Sequence, residues 1–380
     1  MTWKMLETQH EGAKIKVIGV GGGGGNAVAY MLSRELEGVE YICANTDSQA
    51  LRKSQAQSQL QIGGNITKGL GAGADPELGR QAALEDREQI QEAIKDANML
   101  FITTGMGGGT GTGAAPVIAQ IAKDMNILTV AVVTRPFSFE GKKRTKTALE
   151  GIAELEKQVD SLIVIPNDKL TAVMGKSASL KDAFASANEV LYTAVSGISE
   201  LITRPGEINL DFADVRAIMT ERGTAMMGTG IGHGDNRAAE AAEAAIHSPL
   251  LDDISLTGAE GILVNVASNG DLSIGEFMEI GELVQALAGD EALVKVGTAI
   301  DETLEGSLRV TLVATGLVRN TVIEEPRKPR VVVHNDSPRA AITDHHDVPA
   351  VRHAVAQVRG NAAVNMDILD IPSFLRKQAD

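Results

Sequence analysis

The sequence predicts an α/β protein built on a parallel sheet, and three observations lead to that fold class. Strand-like apolar runs alternate with segments of helical periodicity through the N-terminal half of the chain. Two of these runs end in glycine-rich turns that open a helix, which is typical of parallel βαβ units. A long apolar-periodic stretch, Leu180–Thr203, then predicts one helix that joins this part to a second, smaller α/β domain.

The first βαβ unit lies close to the N-terminus. Residues 14–20 have the pattern of a buried strand, the five glycines at 21–25 interrupt it, residues 26–37 have helical spacing, and residues 39–44 form the next predicted strand. The alternation then continues through predicted helices at residues 84–97, 114–124 and 145–159, and predicted strands at residues 99–103, 127–134 and Ser161–Pro166.

The second domain is expected to begin where Pro205 and Gly206 end the long helix. Its predicted helices are residues 214–220 and 238–247, and its predicted strands are residues 261–266, 292–300 and 308–314. The chain is thus divided into a flexible start (1–12), a first domain (13–179), the connecting helix (180–203), a second domain (204–317), a linker (318–365) and a tail peptide (366–380).

The linker has no sustained hydrophobic period, and four of the eleven prolines and four of the seven histidines fall in it. This composition predicts a flexible, disordered segment. A metal site built from its histidines would lack a rigid scaffold, so we expect none there.

Composition limits the classes of function. A net charge of −15 argues against duplex nucleic acid as a partner, because phosphate binding needs a basic face. The single cysteine, Cys43, excludes an internal disulfide and a cysteine zinc cage, and we expect it in the core. Without an apolar run of about 18 residues or a signal-peptide core, we expect a cytoplasmic protein with no direct membrane insertion.

The first glycine loop follows a strand and opens a helix. Bare backbone N–H groups and the helix N-terminus suit it to phosphate oxygens. Gly19, Gly21 and Gly24 also have the G-x-G-x-x-G spacing, and Asp47 follows the second strand. A nicotinamide or flavin dehydrogenase therefore remains an alternative.

A second glycine loop, residues 105–113, has the same context. A dinucleotide needs one such loop, so two loops indicate a longer phosphate chain held from two sides. The hydroxyls of Thr110 and Thr112 are suited to adding donors, and residues 69–73 form a third candidate loop. No Walker segment is present, which excludes a P-loop enzyme.

Glycine loops bind phosphate but supply no group that positions an attacking water. Asn209, Asp211 and Asp214 are the candidates, since their spacing places them at the start of a predicted helix. The alternative is purely structural, with Asp211 as the helix N-cap and Asp214 in the first turn.

Residues 107–113 read GGGTGTG, the signature of the tubulin/FtsZ family. Six further segments resemble members of that family in order and spacing, namely residues 19–28, 45–47, 67–73, 136–144, 166–170 and 209–216. The resemblance extends from Lys14 to about Leu317 and resumes in the tail, which is similar to that of gammaproteobacterial members. It implies a Rossmann-like GTPase domain in residues 13–179.

The resemblance also implies the residues of a GTP or GDP site with Mg²⁺ on the phosphates. Glu140 and Arg144 would lie at the ribose, and Asn188 on the long helix would contact guanine. Considered alone, Glu140 and Arg144 could be a surface helix pair and Asn188 an ordinary polar residue, so the guanine preference rests on the resemblance. The full expected set is Gly21, Gly22, Gly23, Gly24, Gly25, Asn26, Asn45, Gly71, Ala72, Gly73, Gly107, Gly108, Gly109, Thr110, Gly111, Thr112, Gly113, Glu140, Arg144, Asn167, Phe184 and Asn188.

In the family, residues 207–214 correspond to a synergy loop that completes the nucleotide site of the next subunit in a filament. Asp211 and Asp214 would orient the attacking water and Asn209 would hold the geometry. The resemblance therefore implies a head-to-tail homopolymer that forms the cytokinetic ring at mid-cell. A protein that binds the nucleotide without hydrolysing it is the structural alternative.

The tail has apolar residues spaced as in a short helix that cannot fold alone in water. We expect it to dock on a partner, although a frayed terminus fits the sequence equally. The resemblance implies the membrane tethers FtsA and ZipA as its partners, with division regulators such as MinC and Zap proteins acting on the filament. The expected contact residues are Asp370, Ile371, Pro372, Phe374 and Leu375.

Overall fold

The computed structural model describes residues 12–175, 178–204, 206–221, 223–251, 258–289 and 292–317. The predictions for the flexible start, the linker with its histidines and the tail peptide fall outside these residues, apart from Gly12 at the boundary. None of the described helices combines the length and the apolar character that a membrane crossing requires.

A single ten-stranded sheet organises the described part of the chain, in the order β3-β2-β1-β4-β5-β6-β7-β10-β8-β9. Neighbouring strands are parallel except where β10 pairs with β7 and β8. The predicted α/β class is therefore confirmed. The strands are β1 (Ile15–Val20), β2 (Val39–Asn45), β3 (Ser58–Gln61), β4 (Met99–Gly105), β5 (Leu128–Arg135), β6 (Ser161–Pro166), β7 (Thr224–His233), β8 (Gly261–Ser268), β9 (Leu293–Ile300) and β10 (Ser307–Leu317).

Helices cover both faces of the sheet, and two large apolar clusters lie on either side of its first six strands. The helices are α1 (Gly21–Ser33), α2 (Ser48–Arg52), α3 (Gly64–Thr67), α4 (Pro76–Glu85), α5 (Arg87–Ile94), α6 (Thr110–Asp124), α7 (Lys142–Glu156), α8 (Asn167–Met174), α9 (Leu180–Thr203), α10 (Phe212–Met219), α11 (Arg237–Ile246) and α12 (Ile274–Gln285).

Several helix predictions were wrong at their starts, two of them by more than four residues. The glycine run 21–25 does not precede a helix but forms the first turns of α1, because contact with neighbouring backbone outweighs the low helix propensity of glycine. The predicted helix at residues 84–97 is two helices, α4 and α5. Asp75 caps α4 through its side chain and Pro76 occupies its first turn, a start signal that the periodicity alone missed.

Strand β7 was not predicted, and its glycines explain why. Gly228, Gly230 and Gly232 alternate along it and weaken the strand signal. A Cβ on any of the three would collide with the backbone of α11, so the glycines allow that helix to lie directly on the strand. Helix α12 and the short α8 were also missed.

Helix α9 confirms the prediction of one long helix at Leu180–Thr203. Ser179 and Asp182 form a capping box at its start, where the Phe184 ring lies 5.5 Å from that of Phe137, just beyond the carboxyl end of β5. At its other end, Thr203 lies against Gly38, immediately before β2. The helix therefore runs from the carboxyl edge of the sheet to its amino edge.

A buried charged group joins α9 to the strands of the second half. Glu200 is 1% exposed and accepts a hydrogen bond from Arg309 Nη2 at 3.0 Å, with Asn265 Nδ2 at 3.3 Å. Burial raises the pKa of the Glu200 carboxyl, and the nearby Arg309 and Arg204 partly oppose this shift. The pair fixes α9 against β10 because breaking it would leave a charge buried without a partner.

Candidate functional site

The first glycine loop folds tightly onto the carboxyl ends of β1 and β4. A Cβ on Gly24 would overlap the carbonyl oxygen of Thr103 and lie 2.7 Å from Gly19 C. By contrast, a Cβ on Gly22 or Gly25 would meet no atom within 4 Å. One side of the loop is therefore packed against the sheet, and the other leaves the backbone open to a ligand.

The second glycine loop interlocks with the first. Gly21 adopts a left-handed φ of +70°, and a Cβ there would lie 3.0 Å from Gly111 N. A Cβ on Gly23 would lie 2.9 Å from Gly105 N, and Thr104 Oγ1 donates a hydrogen bond to Val20 O at 2.9 Å. Two helix N-termini, α1 and α6, thus meet at adjacent parallel strands, where phosphate groups are commonly bound.

The third loop supports the second through backbone contacts. Gly109 N donates to Gly73 O at 2.9 Å, and the adjoining Ala72 is buried. Gly71 and Gly73 both have left-handed φ values, of +88° and +56°. The three predicted glycine segments therefore lie together, and Gly108 presents an open side to solvent as Gly22 does.

The two threonines of the second loop have partners within the protein. Thr110 Oγ1 lies 2.6 Å from the hydroxyl of Thr46. Thr112 is buried, and its hydroxyl accepts a hydrogen bond from Gly107 N at 2.8 Å. Gly107 itself has a φ of +97° and packs against Arg144. Thr112 accordingly holds the loop in shape.

A cavity of about 260 Å³ opens beside these loops. It brings together seven of the predicted nucleotide residues, which are Gly23, Asn26, Glu140, Arg144, Asn167, Phe184 and Asn188. Asn167 is 4% exposed, and its side-chain oxygen has no hydrogen-bond partner. A buried amide oxygen without a partner is costly, so this atom is suited to accepting a hydrogen bond from a ligand.

Glu140 and Arg144 form an ion pair at the edge of this cavity, with Nε to Oε2 at 3.2 Å. The surface ion pair between Glu140 and Arg144, which was the structural alternative to a nucleotide contact, is therefore present. Glu140 Oε1 also accepts from Phe137 N at 2.9 Å, so its carboxylate is fixed by two partners. Both side chains nevertheless line the cavity, so the pair and a ribose contact are compatible.

Gly105 and Met106 of the predicted second loop also line the cavity, whereas four further lining residues were not predicted, namely Thr134, Pro136, Ala187 and Leu191. Thr134 carried a usable signal, since it lies at the carboxyl end of a predicted strand next to that of the second loop. Ala187 and Leu191 share one face of α9 with Phe184 and Asn188, a spacing that the periodicity alone would assign to the core.

Asn45 lies apart from this cavity, in a cleft on the other side of the first loop that also includes Gly22 and Gly25. The neighbouring Asp47 caps α2, and its Oδ1 accepts from Gln49 N at 2.8 Å and Ala50 N at 3.2 Å. Because this carboxylate is engaged as a cap, the acidic residue that supported a dehydrogenase has a structural role instead.

The candidate water-positioning residues lie at the start of α10. Asp211 Oδ1 accepts from Asp214 N at 2.8 Å, which is the capping geometry predicted as the structural alternative. Asn209 Oδ1 accepts from Gly206 N at 2.8 Å and so fixes the turn before them. Capping engages Asp211 through one oxygen, and the carboxylate of Asp214 is not used by the cap.

Lys295 on β9 was missed by the sequence analysis. Its Nζ lies 2.8 Å from Asp214 Oδ1, and this hydrogen bond raises the pKa of the lysine. No sequence signal connects two residues so far apart in the chain, since their contact depends on how β9 passes the loop.

The two groups of candidate residues occupy opposite ends of α9. Phe184 lines the cavity and Thr203 lies at the amino edge of the sheet, a separation of about 29 Å at 1.5 Å per helical residue. Residues 209–214 follow beyond that end. One copy of the chain therefore cannot place Asp211 and Asp214 at its own glycine loops.

Comparisons with known proteins identify the family of the chain. The GTPase-domain model of the tubulin/FtsZ family matches residues 14–175, and the C-terminal-domain model of the FtsZ family matches residues 223–318. Together these matches cover more than half of the chain.

Individual relatives match over most or all of their length. The cell division protein FtsZ of Pseudomonas putida is 54% identical over 401 residues and covers 100% of both chains, and that of Coxiella burnetii is 54% identical over 385 residues and covers 99% of each. A structure described as an empty FtsZ dimer from M. jannaschii has a TM-score of 0.77 and 45% identity, covering 81% of this chain and 89% of that one. The sequence-based prediction of fold and family is confirmed, and the chain belongs to the tubulin/FtsZ family, with a GTPase domain at residues 14–175.

Proposed function

We propose that this protein is a self-assembling GTPase that hydrolyses GTP between two copies of the chain. The observation that carries the proposal is the separation along α9 of the glycine loops from Asp211 and Asp214. Each copy would contribute its loops to one interface and residues 209–214 to the next. A contact between two different surfaces does not close on itself, so it extends into a filament.

The glycine loops and the cavity would hold the nucleotide. Phosphates fit the open sides of Gly22 and Gly108, where backbone N–H groups can approach closely. The base would enter the cavity towards Asn188, and the Asn167 oxygen gains a partner from the ribose or the base. Each of these assignments follows the family resemblance and is consistent with where the side chains lie.

Mg²⁺ would be held mainly by phosphate oxygens and water. Among the described residues, no group of three histidine, cysteine or carboxylate side chains could hold a metal ion. When bound, the ion would neutralise charge on the transferring phosphoryl group, which matters in a chain of net charge −15.

Residues 209–214 of the adjoining copy would position the water. The water oxygen bonds to the terminal phosphorus while the bond to the bridging oxygen breaks, and GDP leaves with that electron pair. The released proton passes to the inorganic phosphate product. Asp214 would orient the water as an acceptor, and Asp211 would fix the start of α10 that carries it.

Exposed apolar residues near the loops support self-association. Leu70 is 81% exposed between Gly69 and Gly71, and Phe139 is 65% exposed beside the cavity. At the other end of α9, Ile208 in the synergy loop is 41% exposed. Apolar side chains of this size at both proposed ends are suited to burial when a second copy binds.

The relatives named cell division protein FtsZ support a role of the proposed filament in cytokinesis. We infer that this chain acts in the cytoplasm and assembles into the ring at the mid-cell division site. The tail residues Asp370, Ile371, Pro372, Phe374 and Leu375 are proposed to dock on the membrane tethers FtsA and ZipA, while regulators such as MinC and Zap proteins would act on the filament. Many tails on one filament would bind with avidity even if each contact is weak.

The docking proposal has a direct test. Deleting residues 367–380 should abolish binding to both tethers and leave GTPase activity and assembly intact, measured by co-sedimentation with purified FtsA and ZipA. Unchanged affinity of the truncated filament for both tethers would rule out this role of the tail.

The shared site is tested by measuring phosphate release from GTP and ATP together with light scattering across protein concentrations. We expect the rate per molecule with GTP to rise steeply above a threshold concentration, at which scattering also begins. Asp214→Ala should bind GTP normally and lower turnover by about 10² to 10⁴-fold, while Asp235→Ala, an exposed acid in the second half, should behave as the parent protein. A rate per molecule that stays constant on dilution to single subunits would contradict the shared site.

A further inference from the structure

The synergy loop, residues 207–214, is fixed along its length to the edge strand β9. Ile208 N donates to Thr298 Oγ1 and Thr298 N donates to Ile208 O, both at 2.9 Å. A Cβ on Gly297 would lie 3.0 Å from the side chain of Leu210, so glycine there allows the loop to pack closely. Lys295 lies two residues before Gly297 and hence on the same face of β9. It contacts Asp214, the last residue of the loop.

The ion pair engages one carboxylate oxygen of Asp214 and leaves the second oxygen outside the pair. Lys295 Nζ lies 2.8 Å from Asp214 Oδ1, and among the residues that the structure describes no other cation contacts this carboxylate. The Asp214 backbone N–H is already bound to Asp211, which fixes the peptide at this position. Asp214 is therefore held at both its main chain and its side chain.

Charge gives the lysine a second effect. Asp211 and Asp214 would face the polyphosphate of an adjoining copy, where carboxylates and phosphates repel each other. Lys295 is attracted to both carboxylates, which contribute to raising its pKa. A compact ammonium group next to them offsets this repulsion at the point where the two copies meet.

The pair is partly open in the free subunit, since the side chains of Lys295 and Asp214 are 36% and 31% exposed. Exposed ion pairs contribute little to folding stability. A second copy covering this surface would lower the local dielectric and strengthen the interaction. Loss of Lys295 should therefore change turnover in filaments and leave the folding stability of the free subunit nearly unchanged.

We propose that Lys295 is a positioning residue of the shared hydrolytic site, which holds Asp214 by one oxygen so that the other faces the attacking water. This inference rests on the proposed function, since it requires that residues 209–214 complete the site of another copy. Lys295 touches neither water nor phosphate in this assignment and acts only through Asp214.

The test compares Lys295→Gln with Lys295→Arg in the full-length chain. Lys95→Gln is the matched control, because Lys95 is an exposed lysine at the end of α5 that pairs with the carboxylate of Glu92, three residues before it. Three quantities are measured: binding of a fluorescent GTP analogue below the assembly threshold, polymer mass by sedimentation, and phosphate release per polymerised subunit. Thermal unfolding of each variant reports on its fold.

We expect Lys295→Gln to lower turnover per polymerised subunit about ten-fold, within the 10²-fold that a small misplacement of a catalytic group can cost. Its nucleotide affinity and thermal unfolding should match the parent protein. Its polymer mass should match the parent well above a modestly raised assembly threshold, because the variant loses the charge that offsets repulsion between the carboxylates and the phosphates. Lys295→Arg should retain most of the turnover, and Lys95→Gln all of it. Parental turnover in Lys295→Gln filaments would overturn the assignment.

If Lys295→Gln does not assemble alone, labelled variant is mixed at one part in four with parent protein. Turnover per polymerised subunit that falls in proportion to the variant's share supports the assignment, and unchanged turnover overturns it. Exclusion of the variant from parental filaments also overturns it, because Lys295 would then be an assembly contact. Concentration-independent turnover by the parent protein would instead refute the shared site itself, so the two failures are distinguishable.

Discussion

Gly22 and Gly24 are two residues apart in the first turns of α1 and have opposite surroundings. A Cβ on Gly24 would overlap the Thr103 carbonyl oxygen, whereas one on Gly22 would meet nothing within 4 Å. Glycine is thus required at Gly24 by packing. At Gly22 the fold leaves room for a side chain, so we attribute the glycine there to the proposed phosphate ligand.

The first prediction separates these two causes. Gly22→Ala should raise the free energy of unfolding by about 0.4–1 kcal/mol, because it restricts the unfolded chain at a compatible backbone conformation. The same methyl group would stand between the N–H groups and a phosphate, so GTP affinity should fall by about ten-fold or more. Isothermal calorimetry and urea unfolding measure the two quantities.

Gly24→Ala is the matched variant. It should lower the free energy of unfolding by about 1–3 kcal/mol, since the backbone must shift to admit the methyl group. Parental GTP affinity in Gly22→Ala would show that phosphate does not approach this part of the loop.

Asn167 provides a second test of the cavity. Its buried side-chain oxygen has no partner, so Asn167→Leu, which keeps the branched shape without the polar atoms, should leave the free energy of unfolding unchanged or raise it. If the oxygen accepts a hydrogen bond from the nucleotide, GTP affinity should fall by about five- to ten-fold, the usual worth of one hydrogen bond. Titration with a fluorescent GTP analogue provides the affinity, and calorimetry the stability.

Asn65→Leu, which removes an exposed amide outside the cavity, is the control. An Asn167→Leu protein that binds GTP as tightly as the control would mean that the nucleotide does not reach this oxygen.

Leu70 tests the proposed filament contact. Leu70→Ser removes an apolar side chain that is 81% exposed, so neither folding nor GTP binding should change in the free subunit. Burial of this side chain against another copy is worth about 1.5–3 kcal/mol, so the threshold concentration for assembly should rise by about ten-fold or more. Sedimentation across concentrations measures the threshold.

Leu149→Ser, an exposed leucine on α7, serves as the comparison and should leave the threshold unchanged. Equal thresholds for the Leu70→Ser and Leu149→Ser proteins would exclude Leu70 from the contact between copies.

The buried pair of Glu200 and Arg309 should give a pH-dependent stability. Arg309→Met leaves the Glu200 charge without its main partner and should lower the free energy of unfolding by about 3 kcal/mol near neutral pH. Burial raises the pKa of Glu200 above its unfolded value, so the folded state favours the protonated form. The loss should therefore shrink as pH falls towards the ordinary carboxyl range and grow as pH rises through the raised pKa.

Urea unfolding between about pH 5 and pH 8 provides the comparison, with Glu200→Gln in the same background as the control. Because this second change removes the charge, the double variant should recover most of the stability above the raised pKa. A loss that is independent of pH would mean that packing, and not the Glu200 charge, explains the effect. Asp301 lies 3.2 Å from Arg309 and loses this partner in the single and in the double variant alike. Its contribution to stability therefore cancels when these two variants are compared.

The parts of the fold that were predictable depend on local sequence. The glycine loops lie within single strand–helix junctions, and the period of α9 is long enough to be unambiguous. Strand β7 was not predicted because its glycines are needed for close contact with α11, and such a tertiary requirement is not visible in local sequence. The same limit applies to the site, where the ion pair between Lys295 and Asp214 depends on the packing of the loop beside β9.

The clustering of Asn26, Glu140 and Asn188 was expected from the family pattern and not from spacing. Their positions come from three separate helices or turns, so only the sheet order brings them to one cavity. The Asn167 oxygen lacks a partner because of how the side chain is buried, which the sequence does not show. In the sequence, an asparagine at this position is indistinguishable from an ordinary residue at the start of a helix.

The length of α9 also makes the two ends of a filament chemically unequal. At one end, the terminal subunit would hold GTP with no incoming carboxylates, so its nucleotide persists. At the other end, residues 209–214 face solvent and serve no nucleotide, while the GTP of that same subunit is within reach of its neighbour. A rigid helix within each subunit would thereby give the polymer a direction, with one end that retains its triphosphate and another end that exposes residues 209–214.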